Sequence, residues 1–174
     1  MPDGHMQMSR LRTFDMEPPQ DRQFRDALGQ FATGVTVVTA ATDDGPLGMT
    51  ANSFSSVSMT PPLVLWCPAK SSTRFEIFAR AAHFAIHVLA ADQRDVALNF
   101  AKSGAAFGGL DLTVNAQGVP VFDRCLARFD CDTHQIHDAG DHAIILGLVR
   151  SAAFGEGEPL IFAQGQFGRF DNKA

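Results

Sequence analysis

Between Gly48 and Pro62 the chain reads GMTANSFSSVSMTPP. Six of the eleven residues from Thr50 to Thr60 carry a hydroxyl, none is charged, and apolar runs lie on both sides. Small neutral residues let a ligand approach the main chain, and hydroxyl and amide groups both donate and accept hydrogen bonds. Thr50, Ala51, Asn52, Ser53, Phe54, Ser56 and Val57 could therefore line a flat, polar-edged molecule, with Phe54 as an apolar wall. The same composition also describes an irregular loop whose serines satisfy their own backbone. Residue types alone weigh the two readings about equally.

A second stretch, CPAKSSTRFE, covers residues 67–76. Thr73 and Glu76 have capping-box spacing, which predicts a short helix over TRFEIFAR. At such a helix mouth, free backbone N–H groups and the positive dipole end attract an anion. Ser71, Ser72 and Thr73 sit there, Lys70 and Arg74 add charge, and a phosphate monoester would suit the place. A plain cap with solvated basic residues is the commoner arrangement, since the dipole contributes only about 0.3–1 kcal/mol on an exposed end.

The third constellation is CDTHQIHDAGDH, residues 131–142. A hairpin turning at DAGD would bring His137 near His142, whereas His134 and His137 fall on opposite faces of a regular strand. A metal needs more ligands than that pair supplies. The expectation is no metal, with His142 either a structurally bonded or a functional residue.

Whole motif classes are missing: no G-x-G-x-x-G, no G-x-x-x-x-G-K-[ST], no H-E-x-x-H and no G-x-S-x-G occurs. A nicotinamide coenzyme, if used, is not held by a Rossmann turn. The formal charge of −5 supplies no basic stripe for nucleic acid. No apolar run reaches the roughly 18–20 residues that cross a bilayer, so no membrane role is expected. Three cysteines without C-x-x-C spacing read as buried reduced thiols, and the chain as cytoplasmic.

These residues must be positioned by a fold that 174 residues, 45% of them hydrophobic, can build as one domain. Residues 1–20 lack any period and read as a flexible arm, leaving residues 21–170 as the domain. Phe24, Ala27, Leu28 and Phe31 make one stripe of a helix starting near Asp21. GVTVVTAAT and LGMTA, joined by DDGP, predict a hairpin, and PPLVLWCP a further strand. HFAIHVL predicts a strand and DQRDVALNFA a helix beginning at Asp92; Ser103 to Gly118 reads as a mobile loop. LARFDCDTHQIH and HAIILGLVRSAAF predict an antiparallel pair, and PLIFAQGQF a last strand. Six or seven strands linked mostly by hairpins, with three helices, predict a mainly β protein: an antiparallel barrel with peripheral helices.

Taken in order, FRDALGQFATGVTVVT, GMTANSFSSVSMTPPLVLWCP, KSSTRF, GDHAIILGLV and PLIFAQGQF resemble the short-chain flavin reductase family, the reductase components of two-component flavin-dependent monooxygenases. The resemblance runs from about Phe24 to Phe167. It implies a split antiparallel β-barrel that binds FMN, or FAD, as a homodimer with the flavin pocket near the subunit interface. It further implies an NAD(P)H:flavin oxidoreductase that passes hydride from NADH or NADPH to flavin, the reduced flavin diffusing to a partner monooxygenase. Thr50 to Val57 would cradle the ring, with Ser53 among the donors stabilising negative charge on it. Ser71, Ser72 and Thr73, with Lys70, would take the phosphate, Phe100 and Lys102 would border the site, and His142 would face the nicotinamide. The family's PLLFxRGxY becomes PLIFAQGQF here, placing Gln164, Gly165 and Phe167 at the coenzyme side. Gln164 replaces an arginine and Phe167 a tyrosine, which removes a guanidinium and a phenol; Arg169 is the cation that could stand in. Two other functions use the same barrel: a bound flavin relaying electrons to a corrinoid, an iron centre or a partner protein, and a non-catalytic flavin-binding module.

Overall fold

The computed structural model describes residue 11, residues 13–16 and residues 21–170. The arm expected over residues 1–20 lies largely outside them. In chain order the described elements begin with α1 (Asp21–Leu28), β1 (Thr33–Gly34), β2 (Thr36–Thr42), β3 (Gly45–Ala51), β4 (Ser55–Met59) and β5 (Pro62–Trp66). Next come α2 (Phe75–Arg80), β6 (His83–Val88), α3 (Arg94–Lys102), β7 (Leu112–Val114) and β8 (Pro120–Phe122). The chain ends in two hairpins, β9 (Ala127–Ala139) with β10 (His142–Phe154) and β11 (Leu160–Ala163) with β12 (Gln166–Arg169).

Seven strands form one antiparallel sheet in the order β3-β2-β6-β9-β10-β5-β4. Its two edge strands, β3 and β4, are not paired with each other, yet only residues 52–54 separate them in the chain. Three residues span at most about 14 Å from Ala51 to Ser55. The sheet must therefore curl until its edges nearly meet, a barrel left split at one seam. Small sheets of β1-β11-β12 and β7-β8 pack outside it.

Alternation along β2, TVVTAAT, sends its apolar residues to two faces. Val38 and Ala40 point into the barrel with Met49, Trp66, Phe84, Ile86 and Ile145, while Val35 and Val37 point outward under Leu89, Ala97, Phe100, Phe122 and Leu160. Both faces are covered, and the two threonines buried with them are satisfied: Thr36 donates to the Ala51 carbonyl at 2.7 Å and Thr39 to the Pro120 carbonyl at 2.6 Å. Trp66 meets Phe78 of α2 edge-on at 5.1 Å, which seats that short helix against the barrel core. At Gly48 an added Cβ would stand 2.4 Å from the ring of Phe100, so only glycine lets α3 lie this close to β3.

Several expectations are corrected. Arg74, not Thr73, is the N-cap of α2, with no side-chain cap bond, so the capping box does not form. α3 is entered through a 3-10 turn, Ala91–Gln93, where Gln93 Oε1 accepts from the Ala90 N–H at 2.8 Å, while Asp92 pairs with Arg124. The predicted loop from Ser103 to Gly118 contains β7, and PLIFAQGQF opens a hairpin because Gln164 and Gly165 both adopt positive φ, 52° and 76°. The apolar stripe of α1 stays outside: Leu28 is 57% and Phe31, beyond the helix end, 77% exposed. No helix among the described residues is long and apolar enough to cross a membrane.

His87 clips β8 onto the outer face of the barrel. It is fully buried and stacked on Phe122 at 4.0 Å; its Nδ1 lies 3.1 Å from the Val37 carbonyl and its Nε2 accepts from the Phe122 N–H at 3.4 Å. That pattern needs the neutral ring with its proton on Nδ1. Burial holds the pKa down at about 4 against an ordinary 6.5. A histidine whose folded pKa is depressed contributes its full stability above the unfolded value, and that contribution falls as pH drops from about 6.5 towards about 4. The shift is worth about 3 kcal/mol. Urea melts between pH 7 and 4 should show this loss of stability in the unaltered protein and a flatter dependence in His87→Gln.

Candidate functional site

The connector across the barrel seam, Asn52 to Phe54, belongs to the hydroxyl-rich stretch, and its hydroxyl partners show how it is held. Ser53 Oγ accepts from the Cys67 N–H at 2.8 Å and lies 3.3 Å from the Cys67 carbonyl, to which it donates. Thr50 Oγ1 donates to the Ala97 carbonyl of α3 at 2.6 Å, and Asn52 Nδ2 to Thr33 Oγ1 at 3.3 Å. Further along, Ser55 donates to the Ser56 carbonyl and Ser58 accepts from the Thr60 N–H. The second reading, hydroxyls satisfying the backbone, holds here. The side chains satisfy main-chain groups, and in doing so they fix the connector as the wall of a groove.

That groove, about 340 Å³, is lined by Met49 to Ser53 on one side, by Cys67, Pro68, Ala69, Ser72 and Arg74 opposite, and by Ala101 and His142. The lining contains no carboxylate. Burial raises the Cys67 thiol, so it stays protonated and neutral. His142 reaches the groove because the Gly140-Asp141 turn is tied to the segment after β5: the Ala143 N–H donates to the Pro68 carbonyl at 3.1 Å and the Lys70 N–H to the Asp141 carbonyl at 2.9 Å. His142 Nδ1 lies 2.8 Å from Asp141 Oδ1, and that contact holds the Asp141 carboxyl below the ordinary carboxylate range.

A second, larger cleft of about 660 Å³ begins at Asn52, which lines both spaces. Its other walls are the end of α1 and the following turn, including Gln30, Phe31 and Thr33, and the β11–β12 turn with Gln164 and Gly165. Across it the Gln164 N–H donates to the Gly29 carbonyl at 2.7 Å and Gln164 Nε2 to Gln30 Oε1 at 3.0 Å.

Thr50, Ala51, Asn52, Ser53, Ser72 and His142 thus come together in the groove, and Gln164 and Gly165 in the adjoining cleft. Others do not. Phe100 is fully buried against Gly48 and Phe107, so it is a core residue and not a border of the site. Lys70 is taken up by Asp138 and by the Gly140 carbonyl at 2.6 Å, and it lines neither space. Lys102 is exposed past Ala101, and Ser71 and Thr73 are exposed beside Ser72. Phe54 stacks on Phe129 at 5.5 Å, while Ser56 and Val57 lie exposed on β4. Phe167 packs on Phe162 at 5.3 Å with Arg94 above its ring, and Arg169 lies 3.9 Å from Glu158. Among the described residues no group of three or more His, Cys, Asp or Glu stands ready for a metal. Arg74, read from the sequence only as added charge, is the lining residue whose position the spacing did not reveal.

A family model described as flavin reductase like domain matches residues 28–171. The chain belongs to the flavin reductase like family. It is 58% identical over 152 residues to the FMN reductase (NADH) SmoA of Agrobacterium fabrum, an alignment covering 87% of each chain. It is 39% identical over 148 residues to the reductase subunit HsaB of a flavin-dependent monooxygenase from Rhodococcus jostii, covering 84% of this chain and 76% of that one. Among solved structures, the NADH:FAD oxidoreductase SgcE6 of Streptomyces globisporus, in complex with NAD and FAD fragments, superposes with a TM-score of 0.85 at 37% identity. That match covers 93% of this chain and 99% of the other. The split barrel is thus the fold of this flavin reductase like chain.

Because the Ser53 hydroxyl serves Cys67 on both sides, Ser53→Ala should act on the fold as well as on any ligand. Two backbone groups lose their partner, and thermal or urea unfolding of the ligand-free protein should show a loss of about 1–3 kcal/mol.

Proposed function

We propose that this chain is an NAD(P)H-dependent flavin reductase that supplies reduced FMN or FAD to a partner monooxygenase. The observation that carries the reading is the carboxylate-free, hydroxyl- and amide-lined groove at the barrel seam, which shares Asn52 with a second cleft, in a chain of the flavin reductase like family. The donor set fits a flavin. At about 340 Å³ the groove is within the range of small-molecule sites, and its walls present small uncharged residues to a planar ring. Thr50 to Ser53 would hold the ring edge, Ser72 with its neighbours Ser71 and Thr73 the tail, and the cleft beyond Asn52 would admit the nicotinamide nucleotide. The names of the relatives above support NADH as the reductant and both FMN and FAD as acceptors.

With both bound, the chemistry supplied is hydride transfer from dihydronicotinamide to the flavin ring. The residues contribute orientation, because rate depends on holding donor and acceptor in contact. His142 is set for this by Asp141: with its Nδ1–H hydrogen-bonded to the carboxylate, its Nε2 is left to accept from a carboxamide N–H. The absence of a carboxylate from the lining keeps unfavourable negative charge away from a ring that gains electrons. A homodimer belongs to the same reading, since Phe24, Leu28 and Phe31 leave an apolar strip uncovered on one chain. Three free cysteines suit the cytoplasm.

The decisive measurement is a matrix of initial rates, NADH and NADPH against riboflavin, FMN and FAD. Turnover with NADH supports the reading; yellow protein inert to both nicotinamides would leave a binding module in its place. His142→Ala should lower kcat/KM for NADH by about tenfold, the upper range for one lost neutral hydrogen bond. Parent values of both kcat and KM would remove His142 from the site.

A further inference from the structure

We infer that Arg74, and not Lys70, is the anion anchor of the groove: its guanidinium, held in the groove wall beside Ser72 without a carboxylate partner, binds the phosphate that a groove-bound flavin carries. The inference rests on the flavin reading above and deepens it. Lys70 is already neutralised by Asp138 and turned to the β9–β10 turn. Every other ion pair among the described residues also leaves Arg74 aside, so its charge meets no carboxylate within 4.0 Å.

Three carbonyls hold the guanidinium: Nη1 donates to Gly48 at 3.0 Å and to Phe100 at 2.6 Å, and Nη2 to Ala101 at 3.1 Å. Phe100 and Ala101 belong to the last turn of α3, whose C-terminal end carries only about half an elementary negative charge. Neutral carbonyls solvate the cation without cancelling its charge, which is left for a ligand. A guanidinium has five N–H donors, and three are used here, leaving the Nε hydrogen and one on Nη2 without an acceptor among the described residues. Ser72 lines the same groove, and its hydroxyl accepts from the Arg74 backbone N–H at 3.3 Å. Two unused guanidinium donors and a hydroxyl within the lining of one groove are a donor set suited to a phosphate. Because three bonds already fix the side chain, little freedom is lost when an anion arrives.

A role confined to packing would weaken all ligands alike, so the readout is a ratio. Dissociation constants for riboflavin and FMN are measured for the unaltered protein, Arg74→Met and Arg74→Lys, with circular dichroism and thermal melts to show that each is folded. The expected result is a preference for FMN over riboflavin that Arg74→Met reduces by roughly ten- to hundredfold, the range of a charge-assisted hydrogen bond, with riboflavin affinity kept and Arg74→Lys intermediate. Equal losses for both flavins would overturn the proposal. A change confined to KM for NADH, with riboflavin as acceptor, would assign Arg74 to the dinucleotide and overturn it too. Should Arg74→Met fail to fold, the unaltered protein decides: added salt must narrow the FMN preference, and a preference indifferent to salt refutes the anchor. If the unaltered protein binds neither flavin, the flavin reading falls and this inference with it.

Discussion

A sheet whose first and last strands are joined by three residues but share no hydrogen bonds is the constraint on which the molecule turns. The connector Asn52 to Phe54 pulls β3 and β4 towards each other, yet the seam between them is not zipped by a ladder. Backbone groups there must find other partners, because unpaired buried polar groups are costly. They find them in side chains: Ser53 serves both polar groups of Cys67, and Thr36 donates to the Ala51 carbonyl at 2.7 Å. The abundance of hydroxyls in this stretch follows from that need. Charged side chains would do the same work poorly, since each would have to be desolvated inside the seam. Neutrality, small size and hydrogen-bonding capacity, the properties that make the wall suitable for a flat ligand, are first the properties that keep the seam open and ordered.

The segment after β5 repeats this logic from the other side. It continues as a backbone served by two elements, the connector through Ser53 and the β9–β10 turn through Asp141 and Ala143. His142 thereby reaches the groove from the turn end of the β9–β10 hairpin. Charge is then sorted around the rim. Lys70 closes on Asp138 outside the groove, while Arg74 is drawn inward by the carbonyls at the end of α3. Two basic residues four apart in one motif end with opposite electrostatic fates, and only one leaves charge facing the cavity.

Most of the architecture was legible from periodicity. β2 with β3, and β9 with β10, were marked by β-branched runs, alternation and turn residues, because sheet residues declare their faces two by two. The errors share a cause. Thr73 and Glu76 had the spacing of a cap, but the helix takes Arg74 as its N-cap, and the Arg74 side chain docks on the Gly48 carbonyl, a tertiary contact with no local signature. Phe100 sat beside the right residues in the motif order, yet its face of α3 is directed at Gly48 in the core. The α1 stripe has the helical period the sequence showed, but among the described residues Phe24, Leu28 and Phe31 stay exposed. Contiguous segments could be read as site walls; the direction in which one lysine or one arginine folds back could not.

The two departures at the C-terminal hairpin show what the substituted residues do instead. Gln164 occupies a left-handed conformation, which disfavours a side chain with a Cβ, and it is held there by the Gly29 carbonyl and by Gln30. An amide at this position joins the hairpin turn to the end of α1 without adding charge to the cleft. Phe167 keeps the aromatic body, wedged between Phe162 and the guanidinium of Arg94 at 5.7 Å, where a cation over the ring face is favourable and a hydroxyl tip is not required. Both changes leave the cleft neutral on its α1–β11 side, apart from Arg25 and Asp26, adjacent charges of opposite sign on α1. Electrostatic selection in this molecule is therefore concentrated on the groove side of Asn52, where one guanidinium stands without a carboxylate.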